Sequence, residues 1–132
     1  EISQNVSCPK DWINYDHHCY WLGVDLRSWQ EAQDDCQRKD SNLVTIDTEE
    51  ENYLVKGMQC LQDNAWIGAY ATDHTPREWR WVADNSTVIF FDWGPNEPFN
   101  LNGVEDCVHF LNSQWNDGLC SVKKPFICEQ EG

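Results

Sequence analysis

Seven cysteines in a chain of 132 residues limit what this chain can fold into more than any other feature of its sequence. They form no Cys-x-x-Cys pair and no ladder with histidines of the kind that binds zinc, so we interpret them as the disulfide framework of an extracellular domain. Because the number is odd, three pairs leave one cysteine over. Counting alone leaves the pairing open, and the unpaired cysteine is a candidate for a bond to a second chain.

The length and composition predict one domain, spanning residues 1–132, with a single core. Eight Trp, four Tyr and five Phe supply large apolar surfaces, so we expect most of the tryptophans to be buried. The net charge of -14 would repel a nucleic-acid backbone, which excludes nucleic acid as a partner. No stretch approaches the roughly 18 to 20 apolar residues of a membrane span, so we expect no membrane insertion.

Two capping patterns predict two helices in the first half of the chain. Ser28 is followed three residues later by Glu31, and apolar side chains then recur on one face, which predicts a helix over 28–39. Thr48 precedes three consecutive glutamates, which favour the positive end of a helix dipole. This second pattern predicts a helix over 48–58.

Short strands and one long loop are predicted for the rest of the chain. Residues 92–103 are rich in Pro, Asn and Gly, and a loop of that length in a small domain is usually functional. Helices early and strands late describe an α+β domain. The segments predicted as strands by aromatic and β-branched content are 12–22, 65–69, 79–82, 88–91, 107–111 and 126–128.

Motifs spread over almost the whole chain are similar to those of the C-type lectin domain. They are Cys8-Pro9 with Trp12, Cys19-Tyr20, Trp29 and Ala32 before Cys36, Leu43-Val44, Trp66-Ile67-Gly68, Glu97-Pro98, Glu105-Asp106-Cys107, Trp115-Asn116-Asp117, Cys120 and Phe126-Ile127-Cys128. Together they identify the chain as resembling this family, and its secreted, perlucin-like single-domain members in particular. The resemblance implies two helices, short antiparallel strands, a long calcium-binding loop and three intrachain disulfides.

The disulfide pairing follows from the resemblance. It implies three bonds, which are Cys8–Cys19, Cys36–Cys128 and Cys107–Cys120. Cys60 is then the unpaired cysteine. Two hypotheses remain for it: an interchain bond that makes a homodimer, or a buried thiol that packs as a small apolar group.

The resemblance also implies a Ca²⁺ ion in the long loop that binds sugar hydroxyls directly. Glu97, Glu105, Asn116 and Asp117 match the family's ligands, and all four carry the oxygens that Ca²⁺ prefers. Pro98 matches a proline that the family holds in the cis form, a geometry almost confined to proline. These residues are therefore the predicted metal and carbohydrate ligands.

One position departs from the family's pattern. Phe99 stands where the family usually has Asn or Asp, so one metal oxygen and one sugar hydrogen bond are expected to be missing. Asn100 is a possible replacement ligand, and the Phe99 ring is expected to pack against an apolar face of the sugar. Glu97 resembles the type that binds mannose, glucose or fucose.

A second, auxiliary Ca²⁺ in the family would use Glu105, Asp106, Asn100 and acidic residues near Asp73. The resemblance disfavours that ion here, because the cationic Arg77 lies where an acidic residue would help. No residue pattern indicates a nucleophile with its base, so we predict no catalytic residues and no enzymatic activity.

These observations predict a secreted, Ca²⁺-dependent lectin that binds glycans in innate recognition or agglutination. Two alternatives are a domain of this family that binds a protein partner without sugar, and an acidic biomineral-associated protein. Asn5 and Asn85 each begin an Asn-x-Ser/Thr triplet and are candidate glycosylation sites.

Overall fold

The structure, a computed structural model, describes residues 8–59, 64–73, 76–98, 100, 103 and 105–131. The elements of this part of the chain, in order, are β1 Ile13–Tyr15, β2 His18–Arg27, α1 Trp29–Gln37, β3 Asn42–Leu43, α2 Glu49–Met58, β4 Trp66–Ala71, β5 Trp79–Trp81, β6 Cys107–Leu111, β7 Gln114–Gly118 and β8 Lys124–Glu131. The α+β class predicted from the sequence is confirmed.

Both helices begin where the capping patterns predict. The Ser28 hydroxyl accepts a hydrogen bond from the Glu31 amide at 3.2 Å, and the Glu31 carboxylate accepts one from the Ser28 amide at 3.0 Å. Thr48 caps α2 through the Glu51 amide at 3.1 Å. These bonds satisfy amides that have no partner inside the helix, so the helix starts are determined locally.

The strands form one sheet that brings the two ends of the described chain together. The order is β1-β2-β8-β4-β6-β7, with β3 beside β8 and β5 beside β4. The pairs are antiparallel except for β4 and β8, which meet in parallel at Trp66 and Phe126. The prediction of antiparallel strands alone therefore missed one parallel contact, which joins strands far apart in sequence.

Four of the eight tryptophans are buried in the core and the other four are half-buried against it, so the prediction that most would be buried holds for half of them. Trp66, Trp81 and Trp115 are completely buried, and Trp81 and Trp115 pack edge to face with ring centroids 5.8 Å apart. Such aromatic pairs add to the stabilisation that comes from burying apolar area. The buried Trp115 ring therefore anchors the strand that also carries Asn116 and Asp117.

The three predicted disulfides are confirmed. Cys36–Cys128 joins α1 to β8 across 92 residues of sequence, and closing so long a loop is expected to stabilise the fold strongly. The other two bonds, Cys8–Cys19 and Cys107–Cys120, close short segments. Cys60 lies outside the described residues.

Two strand predictions are corrected by the structure. The segment 88–91 is not a strand, because Ile89 points into solvent and the neighbouring contact is an isolated bridge between Arg80 and Thr87. The segment 12–22 is divided by a turn at Asp16 and His17, both of which have positive φ, so that β1 pairs back onto β2.

Two strands, β3 and β7, were not predicted. β7 is rich in polar residues and glycine, which are depleted in strands, yet it pairs with β6 over its whole length.

Among the described residues, no helix is long and apolar enough to cross a membrane.

Candidate functional site

The hairpin of β6 and β7 carries two of the predicted site residues. Asn116 lies opposite His109, and Asp117 lies opposite Val108. Asp117 is only 4% exposed, although it is an acidic residue. A carboxylate buried to this extent requires polar partners, and the neighbouring loop supplies them.

The segment that carries Glu97 runs beside β7. Trp93 forms a parallel bridge with Trp115, and the Gly94 amide donates to the Trp115 carbonyl at 2.8 Å. A Cβ atom at Gly94 would lie 3.3 Å from the Asn116 amide nitrogen, so glycine allows the loop to approach the strand closely. The Glu97–Pro98 peptide bond is cis, as the resemblance implies.

A series of hydrogen bonds links four of the sequence-predicted residues. The Asp117 amide donates to the Glu97 carboxylate at 3.4 Å, and the Asn100 amide donates to the Asp117 carboxylate at 2.7 Å. The Glu105 amide then donates to the Asn100 side-chain oxygen at 3.1 Å. Residues separated by up to 20 positions in sequence therefore lie in direct contact.

Asn116 is placed differently from these four residues. The Asn116 side-chain nitrogen donates to the Gln114 carbonyl at 3.4 Å, so this amide turns back along its own strand. Phe99, which was predicted to contact sugar, lies outside the described residues. Asn100, the possible replacement ligand, has a φ of 51° and binds the Glu105 amide through its side-chain oxygen. Asparagine tolerates this left-handed conformation better than most residues.

The positively charged side chain of Arg77 lies beside Glu105. The Arg77 guanidinium donates to the Glu105 carbonyl and to the Asp106 carboxylate, the latter at 2.9 Å. The region considered for an auxiliary Ca²⁺ therefore already contains a positive charge of the protein's own. This contact agrees with the expectation that Arg77 disfavours a second ion there.

The residues present fit Ca²⁺ by their donor chemistry, since carboxylate and amide oxygens are what this hard cation binds. Within the described ranges, no group of three or more His, Cys, Asp or Glu side chains converges closely enough to hold a metal ion. The hydrogen bonds between the site residues instead run through backbone amides. Binding a metal would therefore require carboxylates to turn from those amides toward the ion.

A buried histidine supports the strand behind the site. Burial, with a smaller contribution from the nearby positive charge of Lys124, lowers the pKa of His109 from 6.5 to about 4. The ring is therefore neutral at pH 7, and its Nδ1 donates to the Phe110 carbonyl at 2.8 Å. His109 thus adds no positive charge beside Asn116.

Residues 25–130 match the model of the family described as the lectin C-type domain. The chain belongs to this family. C-type lectin domains are carbohydrate-binding and non-enzymatic, which confirms the prediction that this chain is not an enzyme.

Named relatives cover nearly all of this C-type lectin domain. It is 37% identical over 135 residues to asialoglycoprotein receptor 1 of Mus musculus, and the alignment covers 96% of this chain and 46% of the relative. It is 35% identical over 131 residues to a perlucin-like protein of Mytilus galloprovincialis, and that alignment covers 93% of this chain and 83% of the relative. The chain spans about half the length of the first of these relatives.

A solved structure has the same fold. The carbohydrate-recognition domain of the mouse scavenger receptor C-type lectin superposes with a TM-score of 0.86 at 34% identity, covering 94% of this chain and 96% of that one. The fold predicted from the resemblance is therefore confirmed.

Proposed function

We propose that this C-type lectin domain binds carbohydrate through a Ca²⁺ ion held by Glu97, Glu105, Asn116 and Asp117. The observation that carries the proposal is the series of hydrogen bonds that brings Glu97, Asp117, Asn100 and Glu105 into one contiguous site. Such contiguity is what a multidentate oxygen site requires. Asn100 is assigned a supporting role, because its side-chain oxygen already accepts the Glu105 amide.

The site residues would make different kinds of contact with the sugar. When bound, Ca²⁺ supplies coordination positions for two neighbouring sugar hydroxyls. Carboxylates of Glu97 and Glu105 accept hydrogen bonds from the same hydroxyls, and the Asn116 amide donates to a sugar oxygen. Asp117, which is nearly buried, holds the strand and the loop together while it contributes its carboxylate.

Mannose, glucose or fucose is the proposed sugar class. The support is Glu97, whose carboxylate only accepts hydrogen bonds, whereas the galactose-binding pattern of the family has Gln at this position. Phe99 is proposed to add contact area against an apolar face of the sugar, since aromatic side chains commonly line ligand sites.

The proposed setting is outside the cell, as a single domain in innate recognition or agglutination. Disulfides persist in oxidising compartments, and the three intrachain bonds support this setting. Asn85 is exposed, which suits the proposed glycosylation, whereas Asn5 lies outside the described residues. A homodimer bonded through Cys60 would present two sugar sites and gain from their effective concentration.

Two observations favour a second candidate, binding to a biomineral. The net charge of -14 suits a cationic mineral face, and a perlucin-like protein is among the relatives. This function would need acidic surface but no ordered sugar site. Binding of calcium carbonate that free sugar does not displace would support it.

Calorimetric titration with Ca²⁺, followed by a glycan array with and without EDTA, tests the leading proposal. We expect Ca²⁺ binding, and glycan signals that EDTA abolishes. Glu97→Gln and Asp117→Asn should each weaken Ca²⁺ binding at least about tenfold, because each removes a charged ligand. Glu50→Gln, at an exposed position on α2, is the matched control.

Two results would contradict the proposal in different ways. A wild-type protein that gives no heat with Ca²⁺ has no metal site. Ca²⁺ binding with no glycan signal would instead favour a domain that binds a protein partner.

A further inference from the structure

Arg77 makes two polar contacts with the segment that carries Glu105. Its Nη2 atom donates to the Glu105 carbonyl and, at 2.9 Å, to the Asp106 carboxylate. The side chain is 27% exposed, so solvent screens the ion pair only in part. The contact to a backbone carbonyl sets the position of the chain itself, not only that of a side chain.

The same guanidinium lies over the ring of Trp79, the first of three tryptophans that pack in a row. Its central carbon is 4.8 Å from the centre of the Trp79 ring, a distance typical of a cation–π contact. Trp79 packs on Trp93 at 5.1 Å, and Trp93 packs on Trp115 at 6.0 Å. Trp93 leads into the loop of Glu97, and Trp115 directly precedes Asn116. Arg77 therefore connects Glu105 to the row of tryptophans that supports the other ligands.

A backbone hydrogen bond from β4 also holds the segment that carries Glu105. The Ala71 amide, at the end of β4, donates to the Asp106 carbonyl at 2.8 Å. Glu105 itself is held through its amide by Asn100, and its carbonyl by Arg77. Without Arg77, the Glu105 carbonyl would lose this donor.

From these contacts we propose that Arg77 is a positioning residue that holds Glu105 in place relative to the other residues of the sugar site. The inference rests on the proposed function for its role in binding. Arginine suits the task because one planar guanidinium can serve a carbonyl and a carboxylate while it stacks on an indole ring. Lysine keeps the charge but has no planar group that could lie flat over the Trp79 ring while it donates both bonds.

Arg77→Lys and Arg77→Met separate positioning from charge. If Arg77 positions Glu105, both variants raise the Kd for Ca²⁺ by roughly tenfold, since Arg77→Met loses both hydrogen bonds and Arg77→Lys loses the planar contact with Trp79 that aims them. If the charge merely repels the ion, Arg77→Met binds Ca²⁺ more tightly, which overturns the proposal. Unchanged affinity in Arg77→Lys also overturns it. Arg38→Lys, at an exposed ion pair with Asp35 on α1, is the matched control and should leave the Kd unchanged.

Hydrogen exchange in EDTA tests the positioning without any metal. The amides of Asn100 and Glu105 both donate within the site, so a segment released by either Arg77 variant should exchange them several-fold faster than the wild type. Equal exchange in wild type and variants would overturn the inference. A wild type that gives no Ca²⁺ heat would remove the proposed metal site and leave this exchange measurement to decide the role of Arg77.

Discussion

Position 99 carries an aromatic ring between Pro98 and Asn100, the two residues that lead the chain into the proposed site. An aromatic hydrocarbon supplies no oxygen to a metal. The side-chain oxygen of Asn100 already accepts the Glu105 amide. At the scale of single residues, we therefore expect the missing ligand to be replaced by water and not by Asn100.

Phe99→Asn should restore that ligand. We expect Ca²⁺ and mannose-type sugars to bind up to about tenfold more tightly, because one coordinating oxygen and one hydrogen bond return. Phe99→Leu, which also lacks an oxygen, is the control and should give no gain. Calorimetry on both variants measures the difference. Equal affinity of Phe99→Asn and wild type would mean that another residue already supplies the ligand.

At the scale of elements, a largely buried carboxylate joins β8, β2 and the segment that follows β3. Glu129 on β8 contacts His18 on β2 at 2.6 Å, and it accepts the Thr45 amide at 2.9 Å. Burial, with a smaller contribution from the negative charge of Glu51, raises the pKa of Glu129 from 4.5 to about 7. This carboxylate lines a cavity of about 850 Å³ that several other acidic residues also line.

The raised pKa of Glu129 makes stability depend on pH. Because the folded protein holds this proton more tightly than the unfolded chain, Glu129 stabilises the fold below pH 4.5, and this contribution is lost as pH rises through about 7. The change is at most about 3 kcal/mol. His109, whose pKa is lowered to about 4, acts in the opposite direction between that value and 6.5.

Comparison with Glu129→Gln isolates the effect of Glu129. The glutamine can still accept the Thr45 amide but carries no titrating proton. Thermal unfolding between pH 5 and pH 9 should therefore show the wild type losing stability relative to this variant as pH rises. Glu131→Gln, at the exposed end of the same strand, should follow the wild type. Parallel curves for wild type and Glu129→Gln would contradict the assignment.

At the scale of the whole molecule, the three disulfides account for six of the seven cysteines. Cys60 is left without a partner in that framework. It follows α2 closely, and the proposed sugar site lies between β7 and the loop of Glu97. A bond between two copies through Cys60 would therefore involve a part of the sequence remote from the proposed ligands.

A non-reducing gel tests this bond directly. We expect a dimer of the wild type that a reducing agent converts to monomer, and Cys60→Ser should be monomeric under both conditions. Agglutination of glycan-coated beads should fall in Cys60→Ser, because linked sites gain by effective concentration, while the Kd for Ca²⁺ stays the same. A monomeric wild type on the non-reducing gel would favour the buried thiol.

Local features were predictable because they depend on neighbouring residues. Ser28 and Thr48 cap their helices through amides three residues away, so a short stretch of sequence determines both helix starts. The disulfides and the cis Pro98 came from resemblance, and the tertiary structure bears them out. The oxygen chemistry of the proposed ligands was likewise visible in the sequence.

The tertiary structure alone decided which distant residues meet. β7 is too polar to be recognised as a strand, and it forms because β6 supplies hydrogen-bond partners along its length. That pairing, with the Trp93 bridge, brings Asp117 to Glu97. Arg77 similarly contacts Glu105 only once β4 and β5 have folded back. Sequence by itself determined the helix caps and the donor types, whereas contacts between distant segments depend on which strands pair, because the stability of a strand comes from the neighbours it packs against.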